Sequence, residues 1–278
     1  MELLYTSDLH GSCNLYSQLL EQFTARPSEV LILGGDILPD GDRGMPYDSV
    51  CRYIHDDFRE FLERIHEVKS QTEVLTIFGN HDWSFSVEEF AALEEKSLLT
   101  MLCHDRLHRV NDFGFLGLSH CPPAPYWIKD YERRDLEDDP PSEFGGYVWS
   151  SEEKRIKSVT GRQYFSQNES LEKMLSQSPT CEKFIFVAHA PVSQGNLDFL
   201  LDGRHVGSRA VRRFIERTQP VLALHGHLHE SPIVSGHYTE TIGRTICVNA
   251  GQDEIRICTF RWDSKYPDEM EHSLGWMP

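Results

Sequence analysis

Two histidines, His227 and His229, stand two residues apart in the stretch His225-Gly226-His227-Leu228-His229. The apolar run Pro220-Val221-Leu222-Ala223-Leu224 precedes them, so they sit where a buried strand runs out into a loop. In extended chain, residues two apart point the same way. Paired imidazoles there suit a metal ion better than a core, and Gly226 lets another group approach the backbone. Taken alone, the pair also reads as two hydrogen-bonded surface histidines. The rest of the chain shifts that balance. Asp8 and His10 follow an apolar run at 2–6, Asp36 follows one at 29–33, Asn80 and His81 follow one at 73–78, and His189 follows one at 183–188. Singly, Asp8 and Asp36 read as turn formers, Asn80 as a helix cap and His189 as a satisfied histidine. Together they are N and O donors at one topological position on five strands. That is enough for two divalent ions, each needing four to six such donors.

The elements that position these residues alternate. Helical spacing of Leu15, Leu19, Leu20 and Phe23 predicts a helix over 14–24, and Val50, Ile54, Phe58, Phe61, Leu62 and Ile65 predict one over 47–68. Strand, polar residues, helix is the layout of an α/β fold, whose sites gather at the carboxyl ends of the strands. A hairpin begun near Leu107 continues through 113–119 and ends at His120-Cys121. Residues 122–146 are rich in Pro and acidic residues and read as irregular; 150–176 is polar, with a helix over 169–175. A helix over 208–218, N-capped by Ser208, precedes the paired histidines. Closing strands are expected over 233–237, 244–248 and 254–260, mostly antiparallel. We therefore expect one domain over residues 1–278 with an insertion at about 122–180, far longer than an ordinary loop.

Composition narrows the function classes. The 278 residues are 39% hydrophobic, adequate for a core, and no run approaches a spanning helix. The first residues show no basic region or cleavage site, so no signal peptide is expected. Seven dispersed cysteines without a CxxC pair predict reduced thiols and a cytoplasmic protein. A net charge of −17 repels polyanions and argues against nucleic acid or an anionic membrane as a partner. A small phosphorylated substrate remains open, because bound divalent cations reverse the local sign. The oligomeric state is not legible in the sequence.

In their order and spacing, Asp8-x-His10, Gly35-Asp36, Gly79-Asn80-His81-Asp82, His189 and Gly226-His227-x-His229 resemble the calcineurin-like metallophosphoesterase superfamily. Residues 202–208 more loosely resemble one prokaryotic branch of it, whose members are mostly of unassigned substrate. The resemblance implies a four-layer αββα sandwich of two mixed sheets. It implies that Asp8, His10, Asp36 and His229 hold one metal ion, that Asp36, Asn80, His189 and His227 hold a second, and that Asp36 bridges. Mixed imidazole and carboxylate donors suit Mn, Fe, Zn, Co or Ni. The implied reaction is in-line attack on phosphorus by a hydroxide held between the ions, with Asn80 helping to stabilise the equatorial oxygens. His81 then protonates the leaving oxygen or hydrogen-bonds the phosphoryl group. Asp82 either orients His81 or caps the following helix, and His225 is a supporting or surface residue.

One departure bears on substrate. Protein phosphatases of the superfamily carry Gly-Asp-x-x-Asp-Arg-Gly, whereas here Arg43 comes three positions late. Without an early bidentate arginine, a phosphodiester monoanion suits the site better than a monoester dianion. The expected activity is hydrolysis of small phosphodiesters. The alternatives are a phosphomonoesterase acting on a small metabolite and, further off, a nuclease or a non-catalytic scaffold. Arg43 and His205, the latter just before a helix start, are candidate phosphate contacts. Trp127, with Tyr126, Phe144, Tyr147 and Trp149, is expected to contact the organic part of the substrate from a lid formed by 122–176, or else only to pack that segment onto the domain.

Overall fold

A computed structural model describes residues 1–41, 46–253 and 255–275. Arg43 therefore lies outside the described residues. The strands are β1 (Glu2–Thr6), β2 (Val30–Gly34), β3 (Glu73–Ile77), β4 (Thr100–Met101), β5 (His108–Val110), β6 (Phe113–Leu118) and β7 (Gly146–Ser150). They continue as β8 (Arg155–Val159), β9 (Phe184–Ala188), β10 (Leu222–His225), β11 (Thr239–Ile242), β12 (Thr245–Asn249), β13 (Phe260–Asp263) and β14 (Tyr266–His272). The α-helices are α1 (Cys13–Ala25), α2 (Pro46–Tyr53), α3 (Arg59–Val68), α4 (Ser86–Glu95), α5 (Gly161–Gln167), α6 (Leu171–Ser176), α7 (Arg209–Thr218) and α8 (Ser231–Ser235).

Two mixed sheets form, ordered β14-β13-β1-β2-β3-β4 and β11-β12-β10-β9-β6-β5. In the first, β1 to β4 run parallel, β13 runs antiparallel to β1 and β14 antiparallel to β13; in the second, β6, β9, β10 and β12 run parallel between antiparallel edges. Side-chain alternation builds the layers. Leu3, Tyr5, Ile32 and Leu75 of one sheet meet Phe115, Ile185, Val187 and Leu224 of the other. Leu4, Leu31 and Leu33 face the opposite way onto Leu19, Phe23 and Phe58 of the helices. Phe186 and Ala223 face Met174, Val211, Phe214 and Ile215 on the far side. The result is the expected helix–sheet–sheet–helix order, and buried central strands explain the near-continuous apolar runs.

The structure corrects several boundaries. The long helix after β2 is three pieces, with a π-helical turn over Ile54–Phe58 between α2 and α3. Residues 233–237 do not form a strand. Pro232 lies in the first turn of α8, and Gly236 ends it at φ +77, leaving Ile233 and Val234 exposed. The described residues of 254–260 before Phe260 are loop, because the Ile255 and Arg256 amides both donate to Asp253 Oδ1. The segment after β6 contains the β7–β8 hairpin and α5, neither of which the sequence pattern announced.

That segment is pinned from within by Lys129 and Glu132, fully buried and paired at 2.8 Å. Lys129 Nζ also donates to Ala124 O at 2.6 Å, and the Ala124 amide donates to Glu132 Oε2 at 3.1 Å. Two further carboxylates anchor the segment outward. Asp130 accepts from the Ser84 and Trp149 amides, and Asp135 accepts from Ser208 Oγ and the Arg209 and Ala210 amides at the start of α7. Removing one partner of a buried pair strands the other charge, at about 3–5 kcal/mol. Glu132→Ala is therefore expected to lower the thermal midpoint by on the order of 10 °C in calorimetry. Replacing both by apolar residues, Lys129→Met with Glu132→Leu, should recover most of the loss; no recovery would refute the stranded-charge account.

Candidate metal centre

The carboxyl ends of β1, β2, β9 and β10 meet because backbone bonds lock the loops together. The Asp8 amide donates to Gly35 O, His10 to Asp36 O, and Gly226 to His189 O, all at 2.8–3.0 Å. Asp8, His10, Asp36 and His227 take positive φ (60, 46, 50 and 68), a region in which non-glycine residues gather at functional sites. Two glycines make room. A Cβ on Gly226 would meet Ser7 Oγ at 2.5 Å, and one on Gly79 would meet His189 Nε2 at 2.5 Å and the Asp36 amide nitrogen at 2.7 Å. Gly226 thus does what its place between the histidines predicted.

The ligand-type atoms converge. His10 Nε2 and His229 Nε2 are 3.3 Å apart, and His229 Nε2 is 3.2 Å from Asp8 Oδ1. His189 Nε2 lies 3.1 Å from Asp36 Oδ2 and 3.9 Å from Asp8 Oδ1. The His227 ring is 5.3 Å from that of His189. Asp8 belongs both to the group with His10 and His229 and to the group with Asp36 and His189. Asp8 is held by the His227 amide at 3.0 Å and Ser7 Oγ at 2.5 Å; Asp36 Oδ1 accepts from the His81 amide at 2.7 Å.

Electrostatics favour cations here. Burial alone would raise Asp8 and Asp36, but the adjoining His229 and His189 respectively hold both carboxyls well below the usual range. Burial pushes His227 down to about 3 and lowers His10, so both present lone pairs. His189 Nδ1 is 2.9 Å from Gly34 O; a carbonyl only accepts, so Nδ1 carries hydrogen and Nε2 is the atom left for a metal. Asn80 Oδ1 is buried with no hydrogen-bond partner among the described residues, an acceptor that a divalent ion would satisfy. Two ionised carboxylates, lone-pair imidazoles and an orphan amide oxygen fit divalent metal ions. Cys121, at the end of β6, brings its sulfur within 4.8 Å of the His189 and His227 ligand atoms; its strand-end place was the available signal.

A family model for calcineurin-like phosphoesterases matches residues 1–231. The chain belongs to the calcineurin-like phosphoesterase family. It is a metal-dependent phosphoester hydrolase, and the clustered donors are groups that could hold a metal ion. The fold agrees with solved structures. TT1561 of Thermus thermophilus is 14% identical, with 98% of this chain and 97% of that one covered at a TM-score of 0.56. Another is 16% identical over 98% of both chains at a TM-score of 0.60. No curated protein matches the chain significantly.

The other predicted residues distribute unevenly. His81 lines a cavity of about 790 Å³ with Asp8, His10, Asp40 and His229. Its ring is 4.7 Å from that of His10. Its orienting partner is Asp40, whose Oδ1 lies 2.9 Å from Nδ1, not Asp82. Burial would lower His81, but Asp36 and Asp40 raise it above the ordinary value. Asp82 neither orients His81 nor caps a helix. It accepts from the Gly79, Ile37 and Leu38 amides and ties the second and third loops together. Burial, then the Asp36 charge, push its carboxyl up to about 7. His225 is not a surface residue: it is buried, with Nδ1 3.0 Å from both Ala188 O and Ala190 O.

His205 does not line the cavity. It bonds Asp198 Oδ1 at 2.7 Å and packs on Phe199. Trp127 does not line it either, packing on Trp83 and Tyr147, while Trp149 stacks on Tyr47. For these two tryptophans, packing is what the structure supports. Tyr126 does reach the site, stacking on His81. Asp40 was legible only as an acidic residue near the second motif, since nothing in the sequence pairs it with His81.

Proposed function

We propose that this protein hydrolyses small phosphodiesters, with two divalent transition-metal ions held by Asp8, His10, Asp36, Asn80, His189, His227 and His229. Such ions supply Lewis-acid charge to the phosphoryl oxygens and acidify water. The chain's own residues do the rest. Asp8 and Asp36 fix the ligand atoms through their amide and hydroxyl bonds. Asp40 orients His81, which donates a proton to the leaving oxygen as its bond to phosphorus breaks. Pro39, Leu9 and Leu15 line the cavity and give an organic substituent an apolar wall. We also read residues 1–278 as one domain, with 122–180 an insertion that reaches the cavity edge at Tyr126 rather than covering it.

The observation that carries the diester reading is the cavity lining. Among the described residues it contains no Arg or Lys, so none of these lining residues grips a dianion with a guanidinium. A monoanionic diester needs less positive charge and gains more from leaving-group protonation. In the presence of Mn, kcat/KM should be higher for bis-nitrophenyl phosphate than for nitrophenyl phosphate. A preference of about tenfold or more for the monoester, some 1.4 kcal/mol in transition-state binding, would replace the diester by a small phosphomonoester.

A further inference from the structure

Tyr126 comes from the segment after β6, which holds none of the seven expected ligands, yet it touches both His81 and the carboxylate that orients it. Its ring stacks on the His81 imidazole, with centroids 3.7 Å apart and planes 23° from parallel. Its hydroxyl donates to Asp40 Oδ2, while Oδ1 of the same carboxylate accepts from His81 Nδ1 at 2.9 Å. The three side chains close a triangle of two hydrogen bonds and one ring stack.

The triangle has a physical purpose that neither member pair supplies alone. The Asp40 side chain is 39% exposed and the His81 side chain 25%, so water competes for the carboxylate and both χ angles have room to wander. Trp83 Nε1 holds only the Asp40 carbonyl, at 2.9 Å. The Tyr126 hydroxyl occupies the second carboxylate oxygen, and its ring blocks one face of the imidazole. Tyr126 itself is presented rigidly. Ala124 on one side is tied to Lys129 and Glu132, and Trp127 on the other packs on Trp83 and accepts the Tyr147 amide at its carbonyl.

We propose that Tyr126 is a positioning residue for His81. It sets the Asp40 rotamer and the His81 ring plane, so that Nδ1–H is committed to Asp40 and Nε2 is the nitrogen left to deliver a proton to the leaving oxygen. The segment after β6 thereby acts on the chemistry through a contact with His81 rather than as a cover. The proposal rests on the reading of His81 as proton donor, and its test separates the two.

The decisive variant is Tyr126→Phe, which keeps the stacked ring and removes the hydroxyl. On a diester with a poor, alkyl leaving group, kcat should fall about threefold to tenfold, the range of a typical net hydrogen bond in a half-exposed setting, with KM and metal content unchanged. On a nitrophenyl ester the loss should be smaller. In a His81→Ala background, Tyr126→Phe should cost nothing further, since positioning has lost its object. An unchanged kcat, or an equal loss in both backgrounds, would overturn the proposal. A second readout does not depend on turnover. In the Zn-loaded protein, nitrogen–proton NMR should show a slowly exchanging His81 Nδ1–H held by Asp40 that broadens through exchange with water in Tyr126→Phe. An identical His81 spectrum in both proteins would overturn the proposal even if His81→Ala showed that His81 is not the proton donor.

Discussion

Asp36→Ala should come through purification with its metal content lost, while Asn80→Ala should lose mainly one ion. Asp36 sits at the crossing of three loops. One oxygen accepts the His81 amide at 2.7 Å, the other faces His189 Nε2 at 3.1 Å, and its carbonyl accepts the His10 amide. Under the proposed two-ion reading Asp36 would serve both ions, because a carboxylate offers two anionic oxygens. Losing it should cost at least about a hundredfold in activity, the upper end of what mutation of a ligand's outer-sphere partners costs. Asp36→Asn keeps the acceptor for the His81 amide, so it separates loss of charge from loss of fold. The same site predicts a pH dependence. Burial would lower His189, but Asp36 and Asp8 beside it raise it to about 9 in the metal-free protein. A proton on Nε2 must leave before a metal binds, so affinity should fall as pH drops below 9, by up to about tenfold per unit for one displaced proton. Elemental analysis and metal titrations from pH 6 to 9 check both. Wild-type protein that takes up no metal even after Mn supplementation would sink the assignment.

His81→Ala should keep its metals and lose turnover by about 10²–10⁴-fold on substrates with poor leaving groups. The ring lines the cavity beside His10 and is held by Asp40, and its raised proton affinity keeps the acid form available. Nitrophenolate leaves without help, so the loss should shrink on nitrophenyl esters, and KM should change little. Equal losses for good and poor leaving groups would count against proton donation and leave His81 a phosphoryl hydrogen-bond donor.

The cluster of donor side chains was legible because strand-end chemistry is local. A buried strand announces itself as an apolar run, and the residues just after that run emerge at one edge of the sheet whatever the remaining fold does. That logic expected Asp8, His10, Asp36, His189, His227 and His229 near one another, and the structure places their side chains in neighbouring groups; alternation of strands and helices gave the α/β class, and the family resemblance implied the two sheets. It failed where local signals compete. Residues 233–237 carry β-branched residues, yet Pro232 and Gly236 bound a short helix, and Asp253 turns the chain where a strand was expected.

What only the tertiary structure decided is who supports whom. Asp82 lies next to His81 in sequence but turns inward to three backbone amides, because burial leaves it no cheaper partners than the Gly79, Ile37 and Leu38 N–H groups. The partners of His81 are Asp40 and Tyr126, 41 and 45 positions away. His205 and Trp127 carry side chains suited to a substrate, but Asp198 and Trp83 engage them elsewhere. Side-chain type and strand-end position select metal ligands from the sequence, since both are properties of a few consecutive residues. Hydrogen-bond partnership depends on distances between loops that are set by the packing of whole layers, and no local pattern encodes those distances.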